Sequence, residues 1–223
     1  MNKPALRLGV LASGRGSNLE AIIRACSSVK INAAVEVVIS DRPRSQALEH
    51  ASRNHIPAVH LDPGAHSGRE EYDEAAVRLL REHRVDLVVL AGYMRLITSR
   101  LIGPYKNRII NIHPSLLPSF PGLHAPRQAL EWGVRISGCT VHFVDETMDQ
   151  GSIIIQAAVP VLEGDTVETL EARVLEQEHR ILPQAIQYFA EDRLEISGRR
   201  VVLKSPKPMA GVKVISPVIE IGL

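Results

Sequence analysis

The chain has 223 residues, 26 basic and 25 acidic, for a formal net charge of +1, and 45% of it is hydrophobic. That length suits one domain with a sizeable core, and the balanced charge gives no electrostatic case for nucleic acid or a membrane surface. Two distant cysteines, Cys26 and Cys139, make neither a disulfide framework nor a zinc pattern, so reduced thiols, a cytoplasmic setting and no metal are expected. The N-terminus lacks signal-peptide character, because Lys3 and Arg7 bracket a short stretch and Gly14-Arg15-Gly16 interrupts the apolar run beyond it. No apolar run approaches the ~20 residues of a membrane span.

Residues 6–11 form an apolar run with little alternation, as in a strand buried on both faces. Ala12-Ser13-Gly14-Arg15-Gly16-Ser17-Asn18 is a turn, after which Leu19, Ile22, Ile23 and Cys26 recur at helical spacing. Strand, glycine-rich turn and helix make a phosphate-binding arrangement, because the first N–H groups of a helix and its dipole attract anions. The Gly-x-Gly-x-x-Gly dinucleotide fingerprint fails at its third glycine, which is Leu19, although Asp41 stands after the strand 35–40 where an acidic partner would be. The alternative is a helix cap by Ser17 or Asn18 with no ligand.

Residues 44–54 read as a helix and 58–61 as a strand, and a longer helix opens at Ser67-Gly68-Arg69 and runs to about His83. Residues 87–91 are a central buried strand, followed by Gly92-Tyr93-Met94-Arg95-Leu96-Ile97, a short helix at 99–105 and a strand at 109–113. Pro114 has no N–H for a sheet ladder and ends that strand. A helix at 125–132, a strand at 138–143, an acidic turn at 145–151 and a strand at 152–161 come next. Gly164-Asp165-Thr166 starts a helix to about Ala190, interrupted near Pro183, and 194–203 reads as a hairpin turning at Ser197-Gly198. Alternating strands and helices with short connections give a doubly wound α/β sheet in a single domain, 1–203. The tail 204–223 is open between an added strand, a dimer contact and disorder.

Asn111 and His113 lie two apart, so in an extended strand both side chains face one side. They sit at a strand's carboxyl end, where ligands bind in open α/β sheets. An amide and an imidazole can donate to a developing oxyanion, and a carboxylate beside the imidazole favours its cation. Acyl transfer then needs no Ser or Cys nucleophile if the substrate brings an amine. The alternative is a turn with a lone histidine. His50, His55, His60, His66 and His83 show no ligand spacing.

Asn111-Ile112-His113-Pro114-Ser115-Leu116-Leu117-Pro118, with Pro121-Gly122-Leu123-His124, resembles the formyltransferases that use 10-formyltetrahydrofolate, over roughly residues 6–195. The resemblance implies a Rossmann-like, mostly parallel sheet with substrates meeting at its carboxyl edge. The flanks look most like the purine-pathway branch, which implies N-formylation of 5-phosphoribosylglycinamide with 10-formyltetrahydrofolate as co-substrate. It implies that His113 and Asn111 stabilise the oxyanion while Asp149 supports protonated His113. It implies that Gly16, Ser17 and Asn18 hold the ribonucleotide phosphate and Glu178 its sugar hydroxyls or amine. It places Arg69, Met94, Arg95, Leu96 and Ile97 around the folate, with Asn111 and the turn residues Asp145, Glu146, Thr147 and Met148.

On the residues alone, Glu178 reads as an exposed helix residue, Arg69 as solvated, and Met94, Leu96 and Ile97 as core. His142 is even between site and strand residue, and the place of His124 is open. A tRNA formyltransferase would need a basic RNA-binding extension, for which the residues after Leu203 are too few. A deformylase would use water instead of the amine and carry an N-terminal regulatory domain. A non-catalytic nucleotide-binding module would use the Gly16 loop and bury His113 without a partner. The expected partners are small molecules, in a monomer or homodimer.

Overall fold

A computed structural model describes residues 4–206. Its elements run β1 (Leu6–Leu11), α1 (Ser17–Ser27), β2 (Ala33–Ser40), α2 (Gln46–Arg53), β3 (Ala58–His60), α3 (Arg69–Glu82), β4 (Leu87–Leu90) and α4 (Ser99–Ile102). They continue with β5 (Ile109–His113), α5 (Ala125–Glu131), β6 (Ile136–Phe143), β7 (Ile153–Pro160), α6 (Val167–Ala190), β8 (Leu194–Ser197) and β9 (Arg200–Leu203). One sheet holds all these strands in the order β3-β2-β1-β4-β5-β6-β7-β9-β8. β3 to β5 pair in parallel, and β6 is antiparallel to both β5 and β7.

The near-continuous apolar strands have helices on both faces, and alternation divides their side chains between two cores. Leu8, Val10, Val38, Val89 and Ile110 pack with Leu19 and Ile22 of α1 and Leu182 and Ile186 of α6. Leu11, Val37, Ile39, Val88 and Ile109 pack with Ala76 and Leu80 of α3 and Leu101 of α4. The strand order reverses direction between β1 and β4, so the loops after these two strands border a switch point, the usual ligand position in such sheets. Both cysteines are free, and burial pushes the Cys139 thiol up to about 12.

The structure corrects one expectation about the elements. α6 is continuous through Pro183 and spans 24 residues. A proline in mid-helix removes one hydrogen bond and costs about 3 kcal/mol. Here Leu182, Ala185 and Ile186 around it are fully buried, and their packing offsets that local cost. The apolar part of the tail lies outside the described residues. Among those described, no helix is long and apolar enough to cross a membrane.

Candidate active site

The loop after β1 ends at Gly16, which holds a left-handed conformation (φ 74) at the position preceding α1. No side chain caps the helix, so the expected alternative of a cap by Ser17 or Asn18 is not what forms. The first-turn N–H groups are left without a side-chain cap, which suits an anion. A side chain at residue 16 would also meet α2, because its Cβ would lie 2.7 Å from Ala47 Cα. Asn18 is buried and its Nδ2 donates to Glu178 Oε2 at 2.7 Å, while its Oδ1 has no partner.

Glu178 is therefore not the exposed helix residue that its local sequence suggests. It lies on the α6 stripe of Val174, Ile181, Leu182 and Ala185, all buried. Burial pushes its carboxyl above the ordinary range, and the Asn18 amide and then the Arg15 guanidinium pull it back. Helical spacing from Val174 and Ile181 was the available signal for its burial.

At the carboxyl end of β5, Asn111 and His113 meet two partners from elsewhere in the chain. His113 is buried, with Nε2 at 2.9 Å from the Phe120 carbonyl and Nδ1 at 3.6 Å from Asp149 Oδ2. Both ring nitrogens thus face acceptors, and only the imidazolium has two N–H donors to offer. Asp149 Oδ2 also accepts the Gly122 N–H at 2.8 Å, and Oδ1 lies 3.7 Å from His142 Nε2. His142 stands opposite Asn111 in the β5–β6 register. Its Nδ1 is 2.8 Å from the Phe143 carbonyl and its Nε2 is 3.2 Å from Asn111 Nδ2.

Burial is the main reason the His142 pKa is lowered, opposed by the Phe143 carbonyl and the Asp149 carboxylate. A neutral ring with the proton on Nδ1 donates to Phe143 and accepts from the Asn111 amide, which fits both contacts. His142 is thus a buried strand residue whose ring also touches Asn111 and lies near Asp149. Strand pairing, which the sequence does not display, is what brings it there.

The acidic turn that carries Asp149 is folded back hard on β6. Thr147 N–H donates to Asp145 Oδ1 at 2.9 Å and Gln150 N–H to the Thr147 carbonyl at 3.2 Å. At Gly151 a Cβ would lie 1.7 Å from the Phe143 carbonyl oxygen, so only glycine permits this return. Asp145, Glu146, Thr147 and Met148 are exposed along the turn.

The loop after β4 borders the same edge. Ser13 joins it to the β1 loop, donating its N–H to the Gly92 carbonyl at 3.1 Å and accepting the Met94 N–H on Oγ at 3.0 Å. Met94 and Leu96 are 61% and 54% exposed, so their expected core placement is wrong, and Ile97 is half-buried against the second core. Exposed apolar side chains beside a polar cluster suit a flat heterocycle better than they suit water. The Arg95 guanidinium lies 4.5 Å over the Tyr72 ring, and Arg69 opens α3 as an exposed residue. His124 is exposed in a left-handed conformation just before α5.

Residues 6–186 match the model of the family described as formyl transferase. The chain is 43% identical to the phosphoribosylglycinamide formyltransferase of Bacillus subtilis (strain 168), over 81% of this chain and 93% of that protein. It is 44% identical to the trifunctional purine biosynthetic protein adenosine-3 of Gallus gallus over 86% of its own length, which spans only 19% of that larger protein. Among solved structures, glycinamide ribonucleotide transformylase 1 from Symbiobacterium toebii superposes with a TM-score of 0.90 at 54% identity, covering 92% of this chain and 96% of that one. With these residues at the carboxyl edge of this sheet, the chain belongs to the formyl transferase family.

Proposed function

We propose that the chain transfers the formyl group of 10-formyltetrahydrofolate to the amine of 5-phosphoribosylglycinamide, in purine biosynthesis. The observation that carries this reading is the cluster of His113, Asn111 and Asp149 on the same carboxyl edge of the sheet as an uncapped helix N-terminus and an exposed apolar loop. The names of the bacterial relatives support the choice of substrate.

On this reading the phosphate sits on the α1 N-terminus at Gly16, Ser17 and Asn18, and Glu178 meets the sugar or amine. The folate lies along Met94, Arg95, Leu96 and Ile97 and the turn 145–148, with Arg69 near its charged end. The amine nitrogen attacks the formyl carbon, and the carbonyl oxygen becomes an oxyanion. Asn111 has a second N–H beyond the one facing His142, and it donates to that oxygen. His113 donates once it exchanges one of its two present acceptors for the oxyanion, a contact that tightens only in the complex. Collapse breaks the bond to the folate nitrogen, which receives the proton lost by the attacking amine. Asp149 supports the His113 cation during that transfer. Holding both substrates at one edge supplies the proximity term.

Purified protein tests this with three parallel assays: formylation of glycinamide ribonucleotide, formation of formylmethionyl-tRNA and release of folate without an acceptor. Formylation of the ribonucleotide alone is the expected result. Folate release without a formylated amine would overturn the reading.

A further inference from the structure

We propose that Asp73 is a positioning residue for the formyl donor, fixing the loop after β4 against α3 so that Met94 and Leu96 are presented as the donor's wall. This rests on the assignment of that loop to the folate made above. Asp73 is 2% exposed, and its Oδ2 accepts the Thr98 N–H at 2.5 Å. Thr98 in turn accepts the Arg100 N–H on Oγ1 at 3.2 Å and so starts α4. One residue earlier on α3, Tyr72 receives the Tyr93 hydroxyl at 3.3 Å and lies under the Arg95 guanidinium. Two adjacent residues of α3 thus grip the loop at positions 93, 95 and 98, while Ser13 grips position 94 from the other side.

Between these points the Met94 and Leu96 side chains project to solvent. A loop pinned on both sides pays its ordering entropy on folding rather than on binding. A buried carboxylate is a costly choice for one backbone N–H that water would satisfy at a surface. Burial indeed pushes the Asp73 carboxyl upward, against the Thr98 bond and the Arg95 and Arg69 guanidiniums. The bond to the Thr98 N–H is short and shielded from water, which holds the loop geometry and needs only an acceptor oxygen at that place.

The test compares Asp73→Ala, Asp73→Ser and Asp73→Asn in the full chain, by steady-state kinetics and by calorimetric Kd for 10-formyltetrahydrofolate. A lost hydrogen bond to a charged group corresponds to a rise of about 10- to 100-fold in donor KM and Kd. The ribonucleotide KM and the kcat at saturating donor should stay within about twofold of the parent. Asn, whose amide oxygen still accepts the Thr98 N–H, should recover most of the loss. Ser cannot reach Thr98 and replaces Ala if Ala does not fold. Equal rises in both KM values, unchanged donor binding, or Asn as poor as Ala would each overturn the proposal. Leu96→Asp separates it from the reading beneath it. If Leu96→Asp weakens the donor and Asp73→Ala does not, the clamp alone fails, whereas an unaffected donor in Leu96→Asp means the loop is not the folate wall.

Discussion

Asp149 Oδ2 stands 3.6 Å from His113 Nδ1 while accepting the Gly122 N–H at 2.8 Å, so one carboxylate oxygen faces the imidazole and also anchors the neighbouring loop. Asp149→Asn keeps the shape and removes the charge. The expected loss is about 10²–10⁴ in kcat if the carboxylate supports proton transfer, with both substrate Kd values little changed because the contact strengthens in the transition state. Single-turnover rates measured beside Kd decide this, and an unchanged rate would make Asp149 an ordinary turn residue.

On the proposed mechanism His113→Ala removes an oxyanion donor, for an expected loss of about 10²–10³ in kcat. On the same mechanism His113 and Asp149 act through one proton, so the double variant should be little worse than the poorer single. Losses that multiply would show two independent contributions.

Burial lowers the pKa of His142 from 6.5, so the unfolded chain binds its proton first as pH falls. Where the unfolded state holds more protons, stability drops with falling pH. The contribution is complete above about pH 6.5 and is lost between that value and the lower folded one. Urea unfolding at pH 7.5 and 5.5 should show a smaller drop in His142→Gln than in the parent. His179, also lowered mainly by burial, leaves some slope in both. Equal slopes would mean that His142 takes a proton in the folded state.

Glu178 carries the opposite sign. Its raised carboxyl means that the folded state holds the proton longer, so its contribution to stability is present below the ordinary carboxyl range and is lost as pH rises through the raised value. Glu178→Gln removes the buried charge and should leave thermal stability at pH 7 equal or higher, while the ribonucleotide KM rises by about 10- to 100-fold. A clear fall in Tm without a change in KM would make Glu178 a purely structural group.

Gly16→Ala should lose stability by about 1–3 kcal/mol through left-handed strain and crowding, and the ribonucleotide KM should rise more than that of the donor. Ala47→Gly should not rescue it, since the clash is with the Ala47 Cα. Rescue would place the cause in the Ala47 methyl instead.

Much of the frame was legible because Leu6–Leu11 and Leu87–Leu90 are apolar strands at the centre of the sheet and read as continuous apolar runs. The pairing of Asn111 and His113 on one side followed from a period of two alone. What stayed hidden depends on contacts distant in sequence. The Asn111–His142 contact needs the antiparallel register of β5 and β6, and the loop that exposes Met94 and Leu96 is bonded to Ser13 and to Asp73 of α3, both distant in sequence. Composition cannot separate an apolar residue that fills a core from one that waits for a ligand. Pro183 misled for a similar reason, since the burial around it outweighs a local rule.

The absent side chain at Gly151 reaches into heredity. Any amino-acid change at that codon adds a Cβ where the Phe143 carbonyl stands, and the turn bearing Asp149 must then move. Substitutions there would scan as losses of turnover, although residue 151 offers no chemical group to the substrates. On the proposed role of Asp149, a catalogue of damaging variants would therefore flag a position two residues from the carboxylate as severely as the carboxylate itself.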